Sequence, residues 1–352
     1  MLVYADDLSG AAEIAGLGAA TGFKSLLRLD VPSLSEGYDL QVVSLDIRSL
    51  SRPEARDKLK NAASVLLPDF VKVDSACRGH LALMAEMLSA GRPCILVPQN
   101  PSHGRTVNGG IYRIDGVPIS ETIFAHDPEW PAHDSNVSAL GIQDAASEED
   151  IGRIVDSAPQ DSLFIGAADL FKAFLRKSRC HGAATGAAVE EDPRNRGTAP
   201  WSVITVFGST VDHGLPFKTM SQDVYEGSKD AEEWTKVLVD EYLTTNNIAF
   251  GVGFDRGPAP DGKDRPRRLA ATLGKVLKAL IGRRSPDLLV IEGGATARAC
   301  MNAVGMEEFS ILGSLAPGVV RLRAVKGGPE IILKPGSYPW PEELKKSITL
   351  QI

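Results

Sequence analysis

Residues 2–11 read LVYADDLSGA: a short apolar run, two adjacent aspartates and the beginning of an alanine-rich stretch. The run Leu2–Ala5 predicts a buried strand, and Ser9–Thr21 predicts the helix that follows it. The same alternation fills the first half, with strands expected at Gln41–Asp46, Phe70–Val73, Cys94–Val97 and Ser162–Ile165, and helices at Pro53–Leu66, Leu81–Ala90 and Ala167–Arg176. Apolar strands separated by helices are typical of a parallel sheet covered on both faces, so the sequence predicts an α/β fold.

The length of the chain, 352 residues, favours two domains at roughly 150 residues per domain. Residues 179–199 lack hydrophobic periodicity and are small, charged or turn-forming, which predicts a linker. After it the alternation resumes, with strands expected at Ser202–Phe207, Ile248–Phe254, Leu288–Ile291, Val319–Ala324 and Glu330–Lys334, and helices at Ala231–Tyr242, Arg267–Ile281 and from Thr296. We therefore expect domains at 1–178 and 200–352, each a mainly parallel sheet flanked by helices.

Composition excludes several classes of function. The net charge is −7, which argues against a general nucleic-acid binder, because such proteins need a basic face. No run of ~18 apolar residues occurs, so no membrane span is expected. The first residues show neither a basic nor a long apolar region, so no signal peptide is expected. The 4 cysteines and 6 histidines lack the spacing of a zinc site or a disulfide framework, and the cytoplasm is the expected compartment.

Asp6 and Asp7 directly follow the first predicted strand. Ligands of open α/β sheets bind at the carboxyl ends of the strands, where two carboxylates can act as a general base toward a hydroxyl or hold a cation. The alternative is that one aspartate caps the following helix, and both roles are compatible, one residue each.

Two further segments of the first half carry candidate anion-binding residues. KVDSACRGH at 72–80 follows a strand, and Asp74 and Ser75 are ordinary helix-capping residues there. Arg78 is expected near a helix start, where its positive charge interacts unfavourably with the helix dipole. A bound anion would offset this unfavourable interaction. Arg105 projects from the proline- and glycine-rich segment 98–131, which predicts a long irregular excursion or a short hairpin. A solvated loop arginine is the alternative interpretation for Arg105.

The second half carries three glycine-containing turns, each after a predicted strand: FGST at 207–210, EGGAT at 292–296 and KPGS at 334–337. Glycine there lets backbone N–H groups approach an anion, and serine or threonine adds a hydroxyl. Each turn is also compatible with a plain connector, but together they favour a phosphate-binding rim. The sequence lacks the P-loop and G-x-S-x-G motifs, and the turn at Gly251–Gly253 lacks the third glycine of a dinucleotide fingerprint.

In order and spacing these segments resemble the four-carbon acid sugar kinases, a two-domain family. The resemblance covers nearly the whole chain and rests on a set of short motifs: ADDLSGA at 5–11, KVDSACRGH at 72–80, PQNPSHGRTVNGG at 98–110, DGVPISET at 115–122, FGST at 207–210, IEGGATARA at 291–299, LAPGVV at 315–320 and LKPGS at 333–337. It implies an N-terminal acid-sugar domain, a C-terminal nucleotide domain and an interdomain active-site cleft. It further implies that ATP and Mg²⁺ transfer phosphate to a terminal hydroxyl of a tetronate-type acid.

The resemblance also implies roles for individual residues. Asp6 and Asp7 fall to the substrate hydroxyl or metal region, while the metal ligands stay unassigned. The residues implied around the acid sugar are Asp74, Ser75, Arg78 and Arg105, with Arg78 expected as the substrate anchor. Those implied at the nucleotide are Ser209, Gly293, Gly294, Ala295, Thr296 and Gly336.

The chain departs from the family pattern at Ala76, where a hydroxyl is expected, and at Ser337–Pro339, where a further glycine-aromatic-glycine run is expected. These departures keep open an alternative function, a non-catalytic sugar-acid-binding or sensor protein derived from such a kinase. A dehydrogenase that uses the Gly251–Gly253 turn is a third, less favoured alternative. The oligomeric state stays open as well, with a homodimer as one candidate.

Overall fold

The computed structural model describes residues 1–30, 32–127, 129–179, 201–210, 214–253, 264–336 and 338–349. The chain divides into two compact units, Met1–Ala187 and Ala188–Ile352. Both units are α/β, so the predicted fold class is confirmed. Most of the predicted linker at 179–199 lies outside the described residues, as do Phe254 and Ser337. The predicted domain boundaries and the predicted cleft stay predictions.

The N-terminal unit contains a parallel sheet, a small antiparallel sheet and their covering helices. Its strands are β1 (Leu2–Ala5), β2 (Ser25–Leu29), β3 (Leu40–Ser44), β4 (Phe70–Lys72), β5 (Cys94–Val97), β6 (Arg105–Asn108), β7 (Ile111–Ile114), β8 (Val117–Pro118) and β9 (Leu163–Gly166). Its helices are α1 (Leu8–Ala20), α2 (Arg52–Val65), α3 (Leu81–Leu88), α4 (Glu148–Ser157) and α5 (Ala168–Arg179).

The main sheet of this unit has the strand order β2-β3-β1-β4-β9-β5, with every neighbouring pair parallel. From β1 the chain passes through α1 to β2 and β3 on one side, and then crosses through α2 to β4 on the other side. The crevice between the carboxyl ends of β1 and β4 is therefore a topological switch point, the place where open α/β sheets bind ligands.

Local sequence signals explain how the first helices begin. The carboxylate of Asp7 caps α1 by accepting a hydrogen bond from the Gly10 backbone N–H at 2.8 Å. At the start of α2, the carboxylate of Glu54 accepts a hydrogen bond from the Ser51 backbone N–H at 2.9 Å. Both contacts satisfy a donor that the first turn of a helix leaves unpaired. The capping interpretation of Asp7 is thus confirmed.

The proline- and glycine-rich excursion contains an antiparallel sheet of order β6-β7-β8. This agrees with the hairpin that the sequence allowed for this segment. The Gly104 backbone just before β6 has φ +67°, and its N–H donates to the Pro101 carbonyl at 3.0 Å. A left-handed residue at this turn suits glycine, and the turn places Arg105 at the first position of β6.

The C-terminal unit repeats the α/β plan with a mixed edge. Its strands are β10 (Val203–Phe207), β11 (Lys218–Thr219), β12 (Asn247–Gly251), β13 (Leu288–Glu292), β14 (Glu308–Ala316), β15 (Val319–Ala324) and β16 (Glu330–Lys334). Its helices are α6 (Gln222–Glu226), α7 (Glu232–Thr245), α8 (Arg265–Arg283), α9 (Gly294–Val304) and α10 (Glu342–Thr349).

Within this unit the strand order is β11-β12-β10-β13-β16-β15-β14. The first five strands are parallel, and β15 and β14 are antiparallel to their neighbours. From β10 the chain goes to β11 and β12 on one side, and α8 then carries it to β13 on the other side. The crevice between the carboxyl ends of β10 and β13 is therefore a second switch point.

Three strands, β2, β11 and β14, and one loop differ from the sequence-based expectation. Strand β2 was not predicted because it contains Arg28, which is buried while its guanidinium donates to the hydroxyls of Ser33 and Ser35. Strand β14 was not predicted either, since bulges interrupt its pairing with β15. Helix α3 begins at Leu81, as predicted, but its N-cap is His80 and not Asp74 or Ser75. Arg78 lies in the loop before the helix, outside its first turn, so the helix-dipole argument for Arg78 fails.

No helix within the described ranges is long and apolar enough to cross a membrane.

Candidate active site

The switch point of the N-terminal unit brings three carboxylates together. Asp6 and Asp7 directly follow β1, and Asp74 lies two residues beyond the end of β4. The Asp6 and Asp74 residues are 1% and 6% exposed. Carboxylates at such low exposure need compensating charge or hydrogen bonds, because desolvation of an ionised group is costly.

Arg48 supplies much of that compensation. Its guanidinium donates two hydrogen bonds to Asp6, from Nε to Oδ2 at 2.8 Å and from Nη2 to Oδ1 at 3.1 Å. The Nη1 atom lies 2.9 Å from Oδ2 of Asp7 and 3.5 Å from Oδ1 of Asp74. A single guanidinium thus contacts carboxylates that follow both β1 and β4. Sequence reasoning missed Arg48; the available signal was a cation just beyond the carboxyl end of a predicted strand.

The three carboxylates differ in pKa. Burial raises the pKa of Asp6, and the opposing attraction of Arg48 does not offset it. Burial also acts to raise the pKa of Asp7, but Arg48, Lys72 and the hydrogen bonds from Ser9 and Gly10 outweigh it, so that pKa is lowered. For Asp74, burial is likewise outweighed by Arg48 and Arg78, and its pKa is lowered strongly. Asp7 and Asp74 are therefore ionised at neutral pH.

Arg78 is held by carboxylates of its own unit. Its Nε and Nη2 donate to Oδ2 and Oδ1 of Asp74 at 3.0 and 2.9 Å, and its Nη1 donates to Oδ2 of Asp127 at 3.1 Å. The predicted neighbourhood of Asp74 and Arg78 is real, but these contacts already occupy much of the planar fork of Arg78.

Arg105 lies beside Arg78 with a different set of contacts. The guanidinium carbons of Arg78 and Arg105 lie 5.3 and 5.8 Å from the ring centroid of Phe124. Arg105 Nη1 donates to the hydroxyl of Ser75, whose carbonyl accepts from the Tyr112 hydroxyl. No carboxylate pairs with Arg105 among the described residues. It is therefore the better placed of the two to bind an external anion.

The switch point of the C-terminal unit is built mainly from backbone. Gly208 and Ser209 follow β10, while Gly293 follows β13 and precedes the first residue of α9, Gly294. Gly293 has φ +91°, and a Cβ on Gly208 would lie 2.7 Å from the Glu292 carbonyl oxygen, so both positions suit glycine. The first turn of α9, which contains Ala295 and Thr296, has no acidic side chain and no side-chain cap. Its N–H groups suit an anion.

A buried ion pair lies beneath this turn. Lys334 Nζ donates to Oε1 of Glu292 at 2.9 Å, and both side chains are at most 1% exposed. Glu292 also accepts from Trp340 Nε1 at 3.2 Å and from the Ser209 hydroxyl at 3.0 Å. The pair links the ends of β13 and β16, whose register places Glu292 opposite Lys334. Sequence reasoning missed both residues as site components.

Gly336 also lies at the switch point of the C-terminal unit, because a Cβ built on it would be 4.0 Å from Cβ of Ser209. The sequence-predicted residues therefore fall into two groups. The N-terminal group comprises Asp6, Asp7, Asp74, Ser75, Arg78 and Arg105. The C-terminal group comprises Ser209, Gly293, Gly294, Ala295, Thr296 and Gly336.

The two α/β units thus carry switch points of different chemistry, one lined by carboxylates and arginines and the other by glycine. The model of a sugar-binding N-terminal domain matches residues 1–154, and the model of a nucleotide-binding C-terminal domain matches residues 244–338. The D-threonate kinase of Cupriavidus necator is 33% identical over 90% of this chain and 89% of its own. The chain belongs to the four-carbon acid sugar kinase family.

Two other relatives match over shorter stretches. The D-erythronate kinase of Heliobacterium modesticaldum is 30% identical over 44% of this chain and 38% of its own, and a 3-oxo-tetronate kinase of Brucella melitensis is 27% identical over 51% and 43%. The chain thus matches less than half the length of these two relatives.

Among solved structures, a Salmonella typhimurium LT2 protein described as a tRNA synthase superposes with a TM-score of 0.72 at 18% identity, over 99% of this chain and 98% of its own. A Haemophilus influenzae protein from a family named as a domain of unknown function gives 0.68 at 17% identity, over 99% of both chains. At these identities the two structures support the fold alone.

Proposed function

We propose that this protein is an ATP-dependent kinase that phosphorylates a terminal hydroxyl of a four-carbon acid sugar. The observation that carries the proposal is the contrast between the two switch points. One offers Arg105, which pairs with no carboxylate of the described residues, beside ionised carboxylates, and the other offers backbone N–H groups at the start of α9. An acid sugar needs a cation and hydroxyl acceptors, whereas nucleotide phosphates are bound well by the N–H groups of a helix start.

In the N-terminal unit, Arg105 is the proposed anchor for the substrate carboxylate. A guanidinium binds a carboxylate in a bidentate manner, and Nη1 of Arg105 is already oriented by Ser75. Arg78 takes a supporting part, because Asp74 and Asp127 hold it. This refines the sequence-based expectation, which gave the anchor to Arg78.

Asp7 is the proposed general base. Its side chain is 13% exposed whereas that of Asp6 is 1% exposed, and both oxygens of Asp6 accept from Arg48. Oδ1 of Asp7 accepts one hydrogen bond, from Gly10, which leaves it room for a substrate hydroxyl. The lowered pKa keeps Asp7 ionised. A weak base suffices, because phosphoryl transfer depends mainly on alignment and charge stabilisation.

The reaction then balances as follows. The substrate hydroxyl oxygen forms a bond to the γ-phosphorus of ATP, and the bond from that phosphorus to the β,γ-bridging oxygen breaks. The hydroxyl proton passes to Asp7, ADP leaves with the bridging oxygen, and the products are ADP and a phosphorylated acid. The N–H groups of Gly294, Ala295 and Thr296 at the start of α9 would hold the nucleotide phosphates, whereas the Gly293 N–H already donates to the Lys334 carbonyl at 2.8 Å.

Kinases of this kind use Mg²⁺, but the side chains in the described part of the chain do not form a dedicated site for it. Across the described ranges, no group of three or more His, Cys, Asp or Glu side chains could hold a metal ion. Asp6 and Asp7 face Arg48, and Glu292 faces Lys334. We therefore derive no step through the metal.

A coupled assay of ADP release tests the proposal. Purified protein with ATP and Mg²⁺ is given D-erythronate, D-threonate and 3-oxo-tetronates, and we expect acid-dependent ADP release with at least one of them. Asp7→Asn should reduce kcat on the order of 100-fold, whereas the control Asp57→Asn, on the exposed face of α2, should not change it. Acid binding in calorimetry without ADP release for any acid would contradict the kinase and favour the sensor alternative.

A further inference from the structure

The turn between β3 and α2, residues 45–51, belongs to none of the motifs that carried the family resemblance. It nevertheless places Arg48 between the carboxylates that follow β1 and those that follow β4. We propose that Arg48 is the positioning residue of the acid-sugar site: its guanidinium fixes Asp7 relative to Asp6 and Asp74 across the switch point. The inference rests on the proposed function and adds a residue to it.

The geometry uses the whole guanidinium. Nε and Nη2 donate a bidentate pair of hydrogen bonds to Asp6 at 2.8 and 3.1 Å, and this pair orients the plane of the guanidinium. The third nitrogen, Nη1, is thereby directed to Asp7 at 2.9 Å and lies 3.5 Å from Asp74. Asp6 thus serves as the anchor for Arg48, and Arg48 in turn orients Oδ2 of Asp7. The other oxygen, Oδ1, is left for the substrate hydroxyl.

The backbone of the turn is held from three directions. The N–H groups of Ile47 and Arg48 donate to the Asp6 carbonyl at 2.9 and 3.3 Å. Trp130 Nε1 donates to the Arg48 carbonyl at 3.0 Å, and a ring nitrogen of His80 lies 2.8 Å from the Leu50 carbonyl. An arginine on a turn with this many contacts has few alternative positions, so its charge stays at the switch point.

A glycine makes space for the arginine stem. Gly79 has φ +91°, and a Cβ built there would lie 3.3 Å from Cγ of Arg48 and 3.6 Å from Oδ2 of Asp6. The loop that carries Arg78 therefore passes directly over the Arg48–Asp6 pair. This close approach connects the loop of the candidate acid-sugar residues to Arg48.

The charge balance explains why a cation is needed there. Asp6 and Asp74 are buried and Asp7 is half-buried beside them, so their mutual repulsion is strong in a poorly solvated site. Arg48 offsets this repulsion and so lets an anionic acid sugar approach the carboxylates. Lysine keeps the charge but lacks the planar fork, so it cannot grip Asp6 with two nitrogens while a third reaches Asp7.

The experiment compares Arg48→Met and Arg48→Lys with wild type. The matched control is Arg56→Met, which removes a largely exposed ion pair between Arg56 and Glu86. For Arg48→Met we expect kcat to fall on the order of 100-fold with the KM for ATP unchanged. The acid limb of the kcat profile should move to higher pH, because loss of the cation raises the pKa of Asp7. Arg48→Lys should restore the limb and recover part of kcat, and Arg56→Met should behave as wild type.

A readout without substrate separates this inference from the kinase proposal. In NMR spectra of carboxyl carbons, Asp7 should titrate at higher pH in Arg48→Met than in wild type, and near the wild-type pH in Arg48→Lys. An unchanged Asp7 titration in Arg48→Met overturns the positioning role, whether or not any acid is phosphorylated. If Arg48→Met does not fold, a kcat of Arg48→Lys equal to that of wild type overturns the positioning role equally, because lysine lacks the planar fork. Absence of ADP release from wild type contradicts the proposed function alone.

Discussion

The two units place their candidate sites at the same topological position but build them from opposite materials. In the N-terminal unit, the crevice between β1 and β4 is lined by charged side chains, with Arg48 contacting three aspartates. In the C-terminal unit, the crevice between β10 and β13 is lined by glycine and backbone, with one ion pair beneath it.

In both units, strand order determines where the switch point lies, whereas side chains determine its chemistry. Both crevices arise where successive crossovers leave a central strand in opposite directions. Side-chain carboxylates can accept a proton and orient a hydroxyl, so the N-terminal site suits the reacting group. Backbone N–H groups neither titrate nor compete for a proton, so the C-terminal site suits phosphates that are only to be held.

The largest expected effect is the loss of stability when the ion pair of the C-terminal site is broken. Lys334→Met leaves Glu292 buried without the ammonium that neutralises it, so the C-terminal unit should lose about 3–5 kcal/mol of stability. Urea unfolding followed by tryptophan fluorescence measures this, since Trp340 contacts Glu292.

Lys345→Met is the control, because the pair of Lys345 with Glu342 lies at the surface. It should cost less than about 1 kcal/mol. Equal losses in the two variants would mean that Glu292 does not depend on Lys334.

The next effect separates the two arginines of the N-terminal site. Arg78→Ala removes the guanidinium that Asp74 and Asp127 contact, so stability should fall by about 1–3 kcal/mol. Arg105→Ala breaks a hydrogen bond to Ser75 and no carboxylate pair within the described chain, so it should cost less than about 1.5 kcal/mol. Urea unfolding of both variants ranks them, and the reverse order would give Arg105 the structural role.

A smaller effect concerns the glycine over Arg48. Gly79→Ala and Gly91→Ala both place alanine at positive φ, +91° and +82°, but a Cβ at Gly91 meets no atom within 4 Å. Each should lose on the order of 1 kcal/mol through backbone strain.

Gly79→Ala alone should also lower kcat, because its Cβ presses on the stem of Arg48. Thermal unfolding and steady-state kinetics measure the two effects. Equal kcat values for both variants would disconnect the loop from Arg48.

The smallest effect is the pH dependence of the N-terminal unit. Asp7 and Asp74 have lowered pKa values in the folded state, so their stabilisation is present above an unfolded pKa of about 3.9 and is lost as pH falls through the folded values. Each contributes a slope of about 0.5 kcal/mol per pH unit near pH 4. Asp74→Asn should reduce the slope between pH 6 and 3, measured by urea unfolding, and an unchanged slope would contradict the assignment.

The sequence predicted most of the parallel core because its strands are buried apolar runs, as at Leu2–Ala5 and Leu288–Ile291. It did not predict β2, since Arg28 gives a fully buried strand the pattern of an amphipathic one. Residues within contiguous motifs, such as Asp6 and Asp7, were found because local spacing places them at a strand end.

Arg48, Glu292 and Lys334 could not be assigned in the same way. Arg48 is 42 residues from Asp6, and Glu292 and Lys334 are 42 residues apart. Their partners are set by strand order, which determines which carboxyl ends become neighbours. One carboxylate partner of Arg78 was equally hidden from the sequence, because Asp127 is 49 residues away. Local sequence therefore cannot show that Arg78 is paired with carboxylates whereas Arg105 is not paired with one in the described chain.

Calorimetry with two variants and two ligands tests the division between the sites most directly. An acid sugar that supports ADP release and a non-hydrolysable ATP analogue are each titrated into wild type, Arg105→Ala and Gly208→Ala. We expect Arg105→Ala to lose at least tenfold in affinity for the acid and to keep its affinity for the nucleotide. Gly208→Ala should show the reverse, because its Cβ would lie 2.7 Å from the Glu292 carbonyl at the phosphate turn. Loss of nucleotide affinity in Arg105→Ala, or of acid affinity in Gly208→Ala, would contradict the assignment of one ligand to each unit.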